Sequence, residues 1–263
     1  MKNFCGYLGK SLNLSLRHLS SISSLFQQAL YWVFIAPFKG KPVNRKYLSQ
    51  QLELIGVKSV PIVAFVSFFF GITLAMLTAY QLQIFQAEVL VGALVGVSFT
   101  REIGSLLTGI VVAARVGAAM TAELGTMKVS EEIDALETMA IKPVRFLIAP
   151  RLLAILIMLP CLVIVANIMG ILGGYLIGKL SLRIDTFYYF SQTFKAMEVK
   201  DIVTGLTKSV FFAVIIGMVG CYQGFIVAGG AEGVGKSTTT SVVTSIFLII
   251  ITDCVLNALF YFI

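Results

Sequence analysis

The sequence predicts an all-α integral membrane protein: an N-terminal interfacial amphipathic helix, then five transmembrane helices, with a cytoplasmic helix between the second and third. Three observations predict this. The 263 residues are 58% hydrophobic and only 13% charged, with a mean hydropathy of +0.94, whereas soluble domains are about 45–50% apolar and about 25% charged. Several stretches without Asp, Glu, Lys or Arg reach the roughly 20 residues that cross a bilayer. The cations gather on particular connecting segments, as topology requires. Such a composition excludes a soluble globular domain, a disordered chain and a collagen-like repeat.

Residues 1–50 read as a separate N-terminal unit. Leu12, Leu16, Leu19, Ile22, Phe26, Leu30 and Val33 recur at helical spacing with Ser, Gln and Arg between them. A helix of this kind lies in the membrane interface, here with Tyr31 and Trp32 at headgroup depth, and it ends at Pro37 and the Lys39 to Pro42 turn. An ordinary helix packed on protein has the same pattern. A cleavable signal would show a continuous apolar block near the start instead.

Residues 51–263 read as one five-helix domain. Ser59 to Ala87, Leu152 to Gly178 and Ser209 to Ala231 carry no charge; Val89 to Ala114 is interrupted by Arg101 and Glu102, and Ser237 to Ile263 by Asp253. None alternates with the period of two that barrel strands need. With the N-terminus cytoplasmic, the inner side holds Lys2, Lys10, Arg17, Lys39, Lys41, Arg45, Lys46, Lys58, Arg115, Lys128, Lys142, Arg145, Arg151 and Lys236. The outer side holds only Lys179, Arg183, Lys195, Lys200 and Lys208. The net charge of +7 is therefore an orientation signal, N-terminus in and C-terminus out, and not a nucleic-acid surface. Cys5, Cys161, Cys221 and Cys254 are dispersed without a CxxC, and His18 is the sole histidine, so the pattern points to neither a disulfide framework nor a metal cluster.

Ionisable groups inside spans are the first candidates for function, because each costs at least about 2.5–3.5 kcal/mol to insert. Glu102 and Arg101 either face a polar cavity that meets substrate or make a structural contact between helices. Asp253 has the same two roles open to it, and Arg101 is one partner it could take. A second candidate is the stretch from Thr121 to Arg151, which gathers Glu123, Glu131, Glu132, Asp134 and Glu137. Ser130 is placed to cap a helix whose first turn carries Glu131 and Glu132, with Ile133, Leu136 and Ala140 as its apolar stripe and an end before Lys142-Pro143. Such a helix either docks a soluble partner or is simply solvated.

Glycines recur in the third span at Gly170, Gly173, Gly174 and Gly178, and in the fourth at Gly217, Gly220 and Gly224. The spacing suits close helix packing, within the chain or across a dimer. One motif misleads. Gly230 to Ser237 satisfies the P-loop pattern GxxxxGK[ST], yet a P-loop joins a strand to a helix in a soluble α/β domain. Between two spans it reads as a glycine-rich cytoplasmic turn.

The run from Ala118 through Glu123, Gly125, Met127, Glu131 and Asp134 to Met139 resembles the MlaE family, the permease subunits of MCE-type ABC lipid transporters. The resemblance extends through Arg101-Glu102-Ile-Gly104, Ala114-Arg115-Val-Gly117, Pro143, Pro150-Arg151 and Gly235 to Thr239. It covers most of the chain from Pro42 onward. The family typically has Gln where this chain has Glu132.

The resemblance implies that residues 51–263 are a permease domain, not an enzyme, carrying no cofactor of its own, with ATP hydrolysed on a separate cytoplasmic ABC ATPase subunit. It implies a second copy of the chain, an MCE-domain protein on the outer side and often a STAS-like protein. The setting would be a bacterial inner membrane or a plastid inner envelope, and the cargo a phospholipid. Glu123, Gly125, Met127, Glu131, Glu132 and Asp134 would couple to the ATPase; Glu102, with Arg101 and Asp253, would meet the lipid. A membrane-embedded lipid-modifying enzyme using Glu102 and Asp253, and an ion or proton channel, are the alternatives.

Overall fold

The computed structural model describes Gln27, Tyr31 and residues 45–262, so the expected N-terminal amphipathic helix falls, but for those two positions, outside the described residues. The described chain is helical throughout, without strands. Helix α1 (Arg45–Ile55) passes through a 3-10 turn at Val57–Ser59 into α2 (Val60–Gln83), with Pro61 in the first turn, where its missing N–H costs nothing. The division drawn at residue 50 falls within α1.

The second span is three α-helical pieces, α3 (Val91–Ser98), α4 (Gly104–Val112) and α5 (Ala118–Val129), joined end to end by π-helical segments at Phe99–Ile103 and Ala113–Gly117. A short α6 (Glu132–Thr138) follows, and a third π-helical segment at Val144–Ile148 opens into α7 (Ala149–Leu180). The chain then forms α8 (Thr186–Ala196), α9 (Val199–Phe225) and α10 (Gly230–Phe262).

Five helical stretches are long and apolar enough to cross a membrane: Arg45–Gln83, Glu88–Val129, Val144–Leu180, Val199–Phe225 and Gly230–Phe260. The five expected spans are therefore present, with altered ends. The fourth begins at Val199 and not at Ser209, because Lys200, Asp201 and Lys208 are helical residues with partners of their own. The fifth begins at Gly230: the expected glycine-rich turn is instead the first turns of α10, and the reversal sits at Gly229 and Gly230, whose φ angles are +92° and +72°. A P-loop is a glycine loop between a strand and a helix, whereas Gly230 to Ser237 lie within α10 and no strand precedes them among the described residues.

The first span packs mainly on the third, and the fourth packs against the second, third and fifth. Val112, Leu124, Leu152, Ile155, Phe212 and Ile216 form the centre of the main core. Phe65, Phe69 and Leu77 of α2 and Val243, Phe247 and Val255 of α10 remain exposed, as helices facing lipid require.

Lipid is as apolar as leucine, so close packing and hydrogen bonds hold such helices together. The glycine stripes serve that purpose inside the chain. A Cβ on Gly173 would overlap the Phe68 carbonyl of α2, one on Gly170 the Phe99 ring, and one on Gly217 would lie 2.7 Å from Leu152. Beyond the C-terminal end of α7, α8 is capped by Asp185, which accepts from the amides of Phe187 at 2.9 Å and Tyr188 at 3.3 Å. Its buried Tyr189 fills the space left by Gly174 and Gly178 and donates to the Ile171 carbonyl at 3.3 Å; burial raises the phenol above its usual value, keeping it a neutral donor.

Gly173→Val should force α2 and α7 apart and cost about 1–3 kcal/mol or more, read as a lowered thermal midpoint of the detergent-purified protein. Gly235→Ala, with open space around it, should be neutral or stabilising by up to about 1 kcal/mol in the same melt.

Candidate functional site

Two groups of charged residues stand out, one inside the spans and one at the α5 to α7 end. The first is centred on Lys208. Its side chain is 0% exposed, about 13 Å along α9 from Val199 at 1.5 Å per residue. Its ammonium pairs with Glu102, lies 3.1 Å from Asp253 Oδ1, donates to Asn257 Oδ1 at 2.7 Å and reaches the Arg101 carbonyl at 3.5 Å. The Asn257 amide nitrogen donates to Glu102 Oε1 at 2.9 Å and to Asp253 Oδ2 at 3.4 Å. The ammonium thus joins the second, fourth and fifth spans.

Arg101 turns to a different partner. Its Nη2 and Nε lie 2.8 Å and 2.9 Å from Asp201 Oδ1. Asp201 is buried and is shared with the capping box at the start of α9, where it and Glu198 accept from each other's backbone amides. The pairing of Arg101 with Asp253 left open by the sequence is not formed; Asp253 belongs to Lys208. Adjacent residues on a helix diverge by about 100°, and Arg101 and Glu102 lie in the π-helical segment Phe99–Ile103, a local widening that recurs at functional sites.

Of the residues singled out in the sequence, Glu102, Arg101 and Asp253 therefore meet in one junction, whereas Lys208, Asn257 and Asp201 were missed. Lys208 counted as an outer-loop cation because it borders an uncharged run. A signal was present: Asp201 and Lys208 are seven residues apart, on one helical face, as are Asp253 and Asn257 at four. The junction sets Arg101 and Lys208 against Glu102, Asp201 and Asp253, an excess of carboxylate that suits a hydrogen-bond-donating or cationic group.

The second group surrounds α6. Glu131 takes a left-handed φ of +60° before the helix, and Ser130 ends α5 with its hydroxyl donating to the Thr126 carbonyl at 3.0 Å. The expected Ser130 N-cap is thus not formed: the sharp reversal at Glu131 turns Ser130 back onto α5, where its hydroxyl also meets Glu132 Oε1 at 3.0 Å. Glu131, Glu132 and Asp134 are exposed, with Asp134 paired to Lys128 at 2.7 Å. Ile133 is buried and Leu136 half-buried, as expected, but Ala140 lies beyond the helix at a φ of +59° and is exposed.

Gly125 is packed against Val227, and Met127 is half-buried on the core. Glu123 faces Arg151, whose side chain is 0% exposed and whose Nη2 lies 2.7 Å from Glu123 Oε1, off the hydrogen-bond direction. The Tyr47 ring of α1 covers the guanidinium at 5.7 Å.

Lys208→Met would strand Glu102 and Asp253 without a counter-charge and should cost about 3–5 kcal/mol, measured by thermal or denaturant unfolding in detergent. Adding Glu102→Gln and Asp253→Asn to that variant should restore much of the loss; no recovery would mean that packing, not charge, sets the effect.

Comparison with known proteins converges on one family. The model of the family described as Permease MlaE matches residues 48–259. A probable ABC transporter permease protein of Rickettsia typhi is 40% identical over 220 residues, covering 84% of this chain and 85% of that protein. One from Rickettsia prowazekii is 39% identical over 240 residues, 91% of each chain, and one from Synechocystis sp. is 34% identical over 229 residues, 87% of each. These assignments set aside the lipid-modifying enzyme. With five apolar spans and a match across nearly all of the described residues, the chain belongs to the MlaE family of permeases and is an integral membrane transport protein.

Proposed function

We propose that this permease is the membrane subunit of an ATP-driven ABC transporter whose cargo is phospholipid or a related lipid, moved between membranes with an MCE-domain protein. The observation that carries the reading is the junction around Lys208. Arg101 and Glu102 keep 42% and 31% of their side-chain surface exposed, while Leu94 and Val203 expose apolar surface on the same spans. A lipid supplies both complements: a polar headgroup for Glu102, with Arg101 and Asp253 beside it, and acyl chains for the apolar flank.

The remaining assembly follows from the surfaces. The exposed acids Glu131, Glu132 and Asp134 suit the groove of a cytoplasmic ATPase, and Glu123, Gly125 and Met127 hold the helix behind them. The nucleotide then sits on that partner, with no cofactor on this chain. A second copy of the chain would enclose the lipid path; an MCE-domain protein would meet the outer side, and a STAS-like protein the ATPase. With Lys208 and Arg151 removed from the loop count because both are buried, cations still concentrate on the α6 side. This favours a cytoplasmic N-terminus and an outer C-terminus, in a bacterial inner membrane or plastid inner envelope.

Glu131→Ala combined with Asp134→Ala should leave membrane insertion intact but uncouple ATP hydrolysis from lipid transfer in liposomes containing the complete complex; undiminished transfer would refute the coupling role. Glu102→Ala should lower the phospholipid that copurifies with the chain by about tenfold, the effect of losing one charge-assisted hydrogen bond, and unchanged lipid content would refute the headgroup role.

A further inference from the structure

The second span carries another arginine in a π-helical segment. Arg115 lies in Ala113–Gly117, about 20 Å along the span from Glu102 at 1.5 Å per residue. That separation is two-thirds of the roughly 30 Å hydrocarbon core of a bilayer, so the two charged positions address opposite leaflets. Arg115 borders a cavity of 190 Å³ between α1 and α5, lined among others by Gln51, Leu54, Ala119, Met120 and Glu123.

The guanidinium is only partly used by the protein. Its Nη1 donates to Ser59 Oγ at 2.5 Å and to the Leu54 carbonyl at 3.3 Å, closing the break between α1 and α2. Among the described residues no carboxylate pairs with it, and Nε and Nη2 make no hydrogen bond. Glu123 is the nearby acid lining the cavity, and Arg151 already faces it at 2.7 Å. A half-buried guanidinium with a free fork is the geometry that binds phosphate in a bidentate manner. Beside the cavity Leu54 and Val57 expose 42% and 61% of their surface, an apolar strip continuous with the membrane-facing side of α2.

We propose that this cavity is a second headgroup site, in which Arg115 holds the phosphate of a phospholipid in the leaflet on the α5 side. The volume fits a headgroup and not a whole lipid, and the exposed Leu54 and Val57 take the start of an acyl chain. The site is separate from the Lys208 junction, and the inference rests on the lipid reading only in naming the source of the phosphate. A permease with headgroup sites in both leaflets needs no single cavity that spans the bilayer.

The test places a photoreactive amino acid at Leu54 in the full chain, reconstituted without partners in vesicles of phosphatidylethanolamine and phosphatidylglycerol, with adducts read by intact mass. The wild-type background should give a phospholipid adduct. Arg115→Gln should reduce it about tenfold or more, from loss of a charge-assisted contact, and Ala119→Trp should do the same by filling the cavity while leaving Arg115 in place. Ser59→Ala, which removes the hydrogen bonds of its hydroxyl to Arg115 and to the Ile55 carbonyl but leaves the guanidinium itself, should preserve the adduct, as should excess inorganic phosphate. An adduct insensitive to Arg115→Gln, equally lost in Ser59→Ala, or displaced by inorganic phosphate would overturn the proposal. Glu102→Ala tests the other site: its effect on copurifying lipid is independent of the adduct at Leu54, so either site can fail alone.

Discussion

A lysine ammonium buried in a membrane protein dictates much of what surrounds it. Lys208 is 0% exposed, and an ion held away from water is tolerated only when its hydrogen-bonding capacity is met at good geometry. Glu102, Asn257 and the Arg101 carbonyl accept from it and Asp253 stands beside it as a second counter-charge, all on the second and fifth spans. The second, fourth and fifth spans are consequently held at one relative height. The depth of α9 follows from the same constraint: its helix extends back to Val199 because Lys208 must lie inside the bundle while Asp201 caps the start and meets Arg101.

The other buried cation orders the opposite end. Arg151, at the first turn of α7, faces Glu123 of α5 and lies under the Tyr47 ring of α1. It thereby joins the two arms that carry α6 to α1, the helix that opens the first span. Displacement of α6 by a partner would be passed to α5 and α7 together, since the buried Arg151 cannot part from the half-exposed Glu123 without its charge being left uncompensated. Between these two anchors, the second span is interrupted by two π-helical segments, and both hold charged residues. A π turn leaves a weak point in the i to i−4 ladder, which sets Arg101, Glu102 and Arg115 on a helix able to adjust locally while its ends stay fixed.

Fold class, the existence of five spans and the identity of Glu102, Arg101 and Asp253 as unusual residues were legible in the sequence. The reason is that bilayer insertion is an additive, local cost: any run of about 20 apolar residues declares itself, and any charge within it is conspicuous. The family resemblance at Glu123 to Met139 was legible on the same local terms. Ser130 was misread because the competing force, the reversal of backbone direction at Glu131, depends on where α7 lies. The start of α10 was misread because glycine is permitted in a helix as well as in a turn, and the left-handed reversal is confined to Gly229 and Gly230, leaving Gly233 and Gly235 helical.

By itself, then, the sequence determined that this protein spans a membrane, roughly where its helices run, and which residues are too costly to be incidental. Only the tertiary structure decided their partners. Pairing brings together Glu102 with Lys208 across 106 positions and Arg101 with Asp201 across 100, and nothing in local propensity or hydropathy encodes a contact over such distances. It also decided that the glycine stripes close the chain upon itself, because whether a small residue serves its own bundle or a neighbour depends on what stands opposite, and opposite Gly173 stands the backbone of Phe68.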